Sequence, residues 1–399
     1  MVLCRVGSHY QAPRMNDKIP SKAAEPSLPS VSTAISGKYL LDSLLEHVNK
    51  DTSAALERLL PKAPTGFMRS ISSVTSNATS GSLDIDARTF RALSVPLWEM
   101  LGRTRKGWRS YVLRVSCEAV GGQFSNFLDW LALPEILHVG SLIIDDIQDS
   151  SEIRRGGKAC HLLYGIGPAI NVGTFAYFVG RTLIEKSSLN DAKKLALYQE
   201  YVSLLREAHI GQGLDIEGLD LTRIGCDANA DCIVDAIMDI HRRKSGVVFG
   251  SFARMGAILG DGSASQTRAL GDYFEDIGTL FQVRDDIMNI TGSHGNLPRH
   301  CEDLRRGKVT IPVAVALKNL PGQARRVLVR QLLSSSLSPE SLVRYLLEAI
   351  STTNSIHLCE TLIEEGYKSA WGTLQNDECK LSNMENIMLF SRRIVGPRY

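Results

Sequence analysis

Two long apolar stretches in this chain each end in a knot of carboxylates, and that pairing constrains the fold more than any other feature. The stretch from Pro134 stays mostly apolar until Asp145, Asp146 and Asp149, and the stretch from Leu270 ends in Asp285, Asp286 and Asn289. At helical spacing Asp145 and Asp149 share one face, with Asp146 about 100° around the axis, and Asp285 and Asn289 pair in the same way. Carboxylates at a helix C-terminus oppose the macrodipole, at about 0.3 to 1 kcal/mol each, and they also repel one another. The arrangement therefore does not serve stability. A hard cation resolves it, because Mg²⁺ takes oxygen ligands and is commonly held by one or two carboxylates plus substrate phosphates. A single such cluster reads equally well as a solvated helix end, but two copies after two apolar helices argue for a site.

From about residue 87 onward the pattern is almost wholly helical, with apolar residues at 3.6-residue spacing and breaks at Gly121-Gly122, Gly156-Gly157 and Leu320-Pro321-Gly322. Alternation is too weak for strands, so the expected class is all-α. Residues 1–86 read as an N-terminal extension, poorly ordered over 1–36 and through the Ser/Thr/Gly stretch 70–84. Leu40, Leu41, Leu44, Leu45, Val48, Ala55, Leu56, Leu59 and Leu60 recur at helical spacing and predict a short helical segment over 38–60.

Charge excludes one class of partner. With 45 Lys+Arg against 43 Asp+Glu, the net charge of +2 supplies no field for nucleic acid. The 8 cysteines form no CxxC pair and read as free thiols in a reducing compartment. No secretory signal pattern and no long uncharged apolar run is evident, which places the chain in the cytoplasm with no transmembrane segment. Arg5 and Arg14 precede the first acid, Asp17, and leave organelle targeting as the alternative.

The segment from Leu142 through Asp145, Asp146 and Asp149 to Arg154, Arg155 and Gly156 resembles the first aspartate-rich motif of the trans-prenyl diphosphate synthases, with its trailing arginines. The segment Leu280 to Asn289 resembles the second, in the DDxxN form of fungal and animal geranylgeranyl diphosphate synthases. Gly211-Gln212 with Asp215, Lys244-Ser245-Gly246 and Cys301 to Lys308 fall in that family's order, and the likeness covers residues 87–399. It implies an isoprenoid synthase helical bundle around a central cavity. It also implies condensation of isopentenyl diphosphate with an allylic diphosphate, with geranylgeranyl diphosphate the expected product.

The residue roles implied by the resemblance follow position by position. Asp145, Asp146, Asp149, Asp285 and Asp286 become catalytic, and Asp145, Asp149, Asp285 and Asn289 ligands of Mg²⁺, three ions per site. Lys106, Arg109, His138 and Arg155 become the isopentenyl diphosphate site, which must hold its phosphates without metal. Arg154, Lys244, Ser245, Gln282 and Lys308 become the allylic diphosphate site. Gly140 and Ser141, one turn before Asp145, leave room for a long product, although Gly140 also suits close helix packing. The chain departs from the family at Pro298, where many relatives carry lysine, and at Ser245, where threonine is usual. A homodimer or higher homo-oligomer is implied. Two rival readings remain: a class I terpene cyclase, which needs no isopentenyl site, and a non-catalytic regulatory subunit, which tends to lose an aspartate cluster.

Overall fold

The computed structural model describes residues 31–64, 71, 85–224, 232–292, 300–334, 336–375 and 379–396. Pro298 and its neighbour Arg299 lie outside these residues, as do Cys4 and Cys226 and most of the stretch 70–84. Within them the chain is helical, and the sole sheet is a two-stranded hairpin, Ile153–Arg154 (β1) and Gly157–Lys158 (β2). The all-α expectation holds. The six described cysteines are free thiols.

The first helix, α1 (Val31–Leu59), is longer than the segment expected over 38–60. Its apolar stripe is not left over for a loose extension. Leu41, Leu45, Val48, Ala55, Leu56 and Leu60 are buried in the same core as the rest of the chain. The helix lies against the 3₁₀ turns Phe124–Leu131 and the helix that follows them. After α2 (Val95–Leu101) and α3 (Trp108–Ala119), that helix is α4 (Ala132–Gln148), which carries the first acidic cluster at its C-terminal end.

Phe124–Gln148 is the one stretch among the described residues long and apolar enough to cross a membrane, and 61% of its apolar window is buried by other helices. All-round apolarity is what a helix at the centre of a bundle requires. Beyond the hairpin, α5 (Ile166–Val179) packs along α4, and α6 (Asp191–Glu217) follows. The α4–α5 approach is close because both faces are glycine. A Cβ on Gly140 would stand 2.7 Å from the Cβ of Ala176 and 2.9 Å from the carbonyl of Gly173, and one on Gly173 would meet Ile144 at 2.8 Å.

The second half builds the opposite wall from α7 (Cys232–His241), a π-helical turn Arg242–Gly246, α8 (Val247–Leu259) and α9 (Ala264–Thr291). The pattern places the start of α9 near Leu270, but the helix begins earlier because Ser263 and Gln266 form a reciprocal capping box. It stops at Gly292, whose φ of +73° closes the last turn. Helices α10 (Ile311–Asn319), α11 (Gly322–Leu332), α12 (Pro339–Thr352), α13 (Ser355–Leu374) and α14 (Met384–Val395) close the bundle outside α9. Phe249, Phe252, Tyr273, Phe274, Tyr367 and Phe390 fill this half, with the Tyr273 hydroxyl donating to Ser391 Oγ at 2.7 Å.

Candidate active site

The two acidic clusters divide their carboxylates between the opening of the bundle and its interior. Asp145 and Asp149 remain 27% and 19% exposed at the end of α4, whereas Asp146 and Asp286 are 1% and 4% exposed. Asp146 accepts from Arg154 Nε at 2.7 Å, and Arg154 Nη2 reaches Asp145 at 3.4 Å. Burial opposes the Arg154 charge, but Asp146 and Asp145 outweigh it and raise the guanidinium pKa.

Arg154 and Arg155 are presented by the hairpin, and its turn explains how. Arg155 at φ +49° and Gly156 at φ +80° are the central residues of a two-residue turn, the left-handed pair that matches strand twist. Arg103 then fastens the hairpin, donating to the carbonyls of Arg154 at 2.7 Å and Lys158 at 3.0 Å. Gly157 lets that guanidinium lie close to the hairpin, since a Cβ would lie 2.9 Å from the guanidinium carbon of Arg103.

Across the opening, Lys244 and Lys308 converge on Asp215 at 2.7 and 3.4 Å. Lys308 also bonds Asp149 at 3.3 Å, and Lys244 stands 3.9 Å from Asp145. Gln212 donates to Asp145 at 3.1 Å, and Arg306 reaches Asp149 at 3.3 Å. Burial would raise the Asp215 pKa, but the two lysines override it and hold the carboxyl below its usual range. Ser245 donates to Gln282 at 2.9 Å, so the hydroxyl at that position keeps a partner on α9. Asp303 is pushed up to about 6 by burial, with Asp286 and Asp285 adding to the rise and Lys308 opposing it. The field of Asp303 in turn reaches Lys308, so the 302–308 segment couples both carboxylate clusters.

Asp286 does other work than its neighbour Asp285. Its Oδ2 bonds His241 Nε2 at 2.9 Å and accepts from the backbone N–H of Ile311 at 2.9 Å. It therefore caps α10 and ties α7 to α9 just where Asp285 leaves the helix. Asp286→Ala is expected to lower stability by about 1 to 3 kcal/mol, the usual cost of leaving buried hydrogen-bond partners unsatisfied. Chemical denaturation against Asp285→Ala, which should be near neutral, measures the difference.

A second cluster is cationic. Arg109 lies 5.2 Å from the Phe249 ring centroid, and its buried Nε donates to no partner among the described residues. Burial lowers its pKa to about 10, against the pull of Glu135 and Asp285 and with the push of Arg155. Arg155 pairs with Glu135 at 3.1 Å, and Lys106 lies 4.5 Å from the Trp108 ring centroid. His138 joins them on α4, its pKa driven well below the usual value by burial and then by Arg109, Arg155 and Arg154. Burial and the fields of these guanidinium groups keep it neutral.

Ser141 is exposed one turn before Asp145 and donates to the carbonyl of His138 at 2.8 Å. Gly140 instead faces α5, where the nearest side chains include Tyr177 at 3.5 Å from an added Cβ. Tyr177 packs edge-to-face on His209 at 5.3 Å, and Asp145 raises its pKa after burial, which together push it up to about 12. Sequence reading missed Tyr177, Arg103 and His241.

The donors fit a hard divalent cation shared with a phosphate. Asp145, Asp149 and Asp285 offer carboxylate oxygen, yet among the described residues no set of three Asp, Glu, His or Cys side chains could hold an ion unaided. Mg²⁺ is characteristically bound through one or two carboxylates with substrate phosphates completing the shell.

Comparison with known proteins agrees with this architecture. The family model described as polyprenyl synthetase matches residues 91–350. The chain belongs to that family. It is 30% identical over 231 residues to the geranylgeranyl pyrophosphate synthase ltmG of Epichloe festucae, covering 58% of this chain and 64% of the relative's length. Geranylgeranyl pyrophosphate synthetase of Pyrococcus horikoshii superposes with a TM-score of 0.72 at 20% identity, over 90% of this chain and 99% of that one. Geranylgeranyl pyrophosphate synthase of Corynebacterium glutamicum, solved with isoprenyl diphosphate and magnesium, gives 0.69 at 22% identity, over 90% and 99%. The polyprenyl synthetase fold thus extends beyond residues 91–350, and the structural match takes in most of the chain.

Proposed function

We propose that this polyprenyl synthetase is a cytoplasmic prenyltransferase that condenses isopentenyl diphosphate with an allylic diphosphate, forming geranylgeranyl diphosphate. The observation that carries the reading is the pairing of two unlike anion sites. One joins Asp145 and Asp149 to Lys244 and Lys308 and suits a metal-bound diphosphate. The other, around Lys106, Arg109, His138 and Arg155, is a cationic cluster in which Arg155 pairs with Glu135, and suits a diphosphate held by the chain alone. A cyclase has no use for the second.

Asp145, Asp149 and Asp285 would hold Mg²⁺, which would supply Lewis-acid pull on the leaving diphosphate. Lys244 and Lys308, now on Asp215, are placed to stabilise the charge that develops on that group as the C–O bond breaks. Arg109, Arg155 and Lys106 hold the second substrate so that its double bond faces the allylic carbon. The chain needs no base of its own, because the released diphosphate lies next to the proton that must leave. Incubating the purified protein with Mg²⁺, labelled isopentenyl diphosphate and each allylic starter, then sizing the products, tests this directly. Absence of any elongated product would remove the reading.

The assembly we propose is a homodimer through α5 and α6. Ile166, Ile170 and Phe178, four and then eight residues apart, are exposed apolar residues on α5, Phe178 being 67% exposed. Leu195, Val202 and Ile216, seven and then fourteen residues apart, are exposed on α6, and Leu195 is 60% exposed. An apolar helix face left open in a monomer is the mark of an interface, and a self-complementary one gives a two-fold dimer. Phe178→Asp is expected to convert dimer to monomer in sedimentation velocity at micromolar concentration. A wild-type monomer would refute the interface.

A further inference from the structure

The loop that brings in Lys106 is seated on α1, a helix outside the residues matched by the family model. Arg105 lies along α1, donating to Ser53 Oγ and to the carbonyl of Asn49 at 3.4 Å, while its other nitrogen reaches the carbonyl of Leu101 at 3.3 Å. The Ser53 hydroxyl donates in turn to the same Asn49 carbonyl at 2.9 Å. Two residues further, Gly107 takes φ +65° and lies so close to α1 that a Cβ would be 2.4 Å from Asn49 Oδ1. That Oδ1 is buried without a hydrogen bond, so packing against the loop, not pairing, holds the amide there.

Gly107 also caps α3, its carbonyl accepting from Tyr111 N–H at 2.9 Å, and Arg109 follows in the first turn. The position of Gly107 therefore sets both Lys106 and Arg109. Burial lowers the Arg105 pKa, and the fields of Glu135 and Arg155 reach it, which places this loop beside the cationic cluster. The brace itself is firm, since Val48, Thr52 and Leu56 on the facing turns of α1 are fully buried.

We propose that α1 is a working part of the isopentenyl diphosphate site, with Ser53 and Asn49 as positioning residues that set the 102–107 loop through Arg105 and Gly107. This deepens the proposed function and rests on it for the identity of the ligand. Neither residue touches the substrate; each acts by fixing where Lys106 and Arg109 present their charge. A small displacement of such groups is felt as weaker binding of one substrate.

The test uses the full chain with saturating farnesyl diphosphate and varied isopentenyl diphosphate, alongside thermal unfolding. Ser53→Ala is expected to raise the isopentenyl diphosphate KM about three- to tenfold, only part of the worth of the lost Arg105 hydrogen bond because Ser53 acts on the site through the loop, with the allylic KM unchanged. Ser53→Thr, which keeps the hydroxyl, should restore the wild-type KM. Gly107→Ala should raise the same KM further, and Asn49→Gly in that background should recover part of it by removing the clash. An unchanged KM in folded Ser53→Ala, or an equal rise in both KM values with a lower Tm, overturns the proposal. Titration calorimetry with inorganic pyrophosphate separates it from the reading it rests on. A wild type that condenses while Ser53→Ala binds and turns over normally removes the brace alone. A wild type that forms no longer product, yet loses pyrophosphate affinity on Ser53→Ala, keeps the brace and removes the condensation.

Discussion

Asp145→Ala is expected to lower turnover by about 10²- to 10³-fold at saturating substrate while leaving the helical content intact. The size follows from the role, because removing one preorganised charge-stabilising group costs about 2.7 to 4 kcal/mol of transition-state stabilisation. The intact fold follows from the surroundings. Asp145 is partly exposed, and its partners Arg154, Gln212 and Lys244 are themselves at the opening, so no core contact is lost. Asp285→Ala should behave alike. Asp146→Ala and Asp286→Ala form the contrast, since both carboxylates are buried, one against Arg154 and the other against His241, and their loss should appear in denaturant midpoints as well as in rate. Steady-state assays with circular dichroism on the four variants decide it. Half the wild-type activity in Asp145→Ala would sink the two-cluster mechanism.

The contrast between Asp145 and Asp146 also shows what a sequence reader can and cannot extract. Helical periodicity places Asp145 and Asp149 on a common face, and the structure leaves both at the opening. Periodicity is a local property, and it survives folding. The same reasoning pairs Asp285 with Asn289 and sets Asp286 off their face, but it does not say what claims Asp286, because His241 and the N–H of Ile311 reach it from elements 45 and 25 residues away. Arg103 and the hairpin it fastens are a similar case, with a separation of 51 residues and a backbone carbonyl as acceptor, which no side-chain pattern reveals. The apolar spacing over 38–60 was legible as a helix. That the helix reaches from Val31 to Leu59 and is enclosed by the main core was not, since amphipathicity states that a face is buried without stating against what.

Gly140 and Ser141 separate in the same way, and they lead to the second large effect. Both precede Asp145 by about one turn, and sequence alone assigns them jointly to product length. In the structure Gly140 is spent on the close α4–α5 contact, where an added Cβ would collide with Ala176. Ser141 is exposed one turn before Asp145, and its hydroxyl donates to the carbonyl of His138.

Ser141→Phe is therefore expected to shorten the main product from C20 towards C15. In the proposed reaction a growing chain anchored by its diphosphate near Asp145 would extend along the apolar walls of the bundle, and Ser141, one turn from Asp145, is the residue we propose it would meet first. A phenyl ring there fills roughly the depth of one isoprene unit, and overpacking of this kind costs about 1 to 3 kcal/mol. That penalty corresponds to a bias of about 5- to 150-fold against the longer chain, at about 1.4 kcal/mol per tenfold. Chromatography of the dephosphorylated products reads the shift, and Tyr177→Ala provides the opposing arm. Tyr177 lies on the far side of Gly140, packed on His209, so removing its ring opens space next to the same passage and should lengthen the product. An active Ser141→Phe enzyme with an unaltered product, beside a Tyr177→Ala enzyme whose product grows, would move the passage from the Ser141 face of α4 to the α5 side.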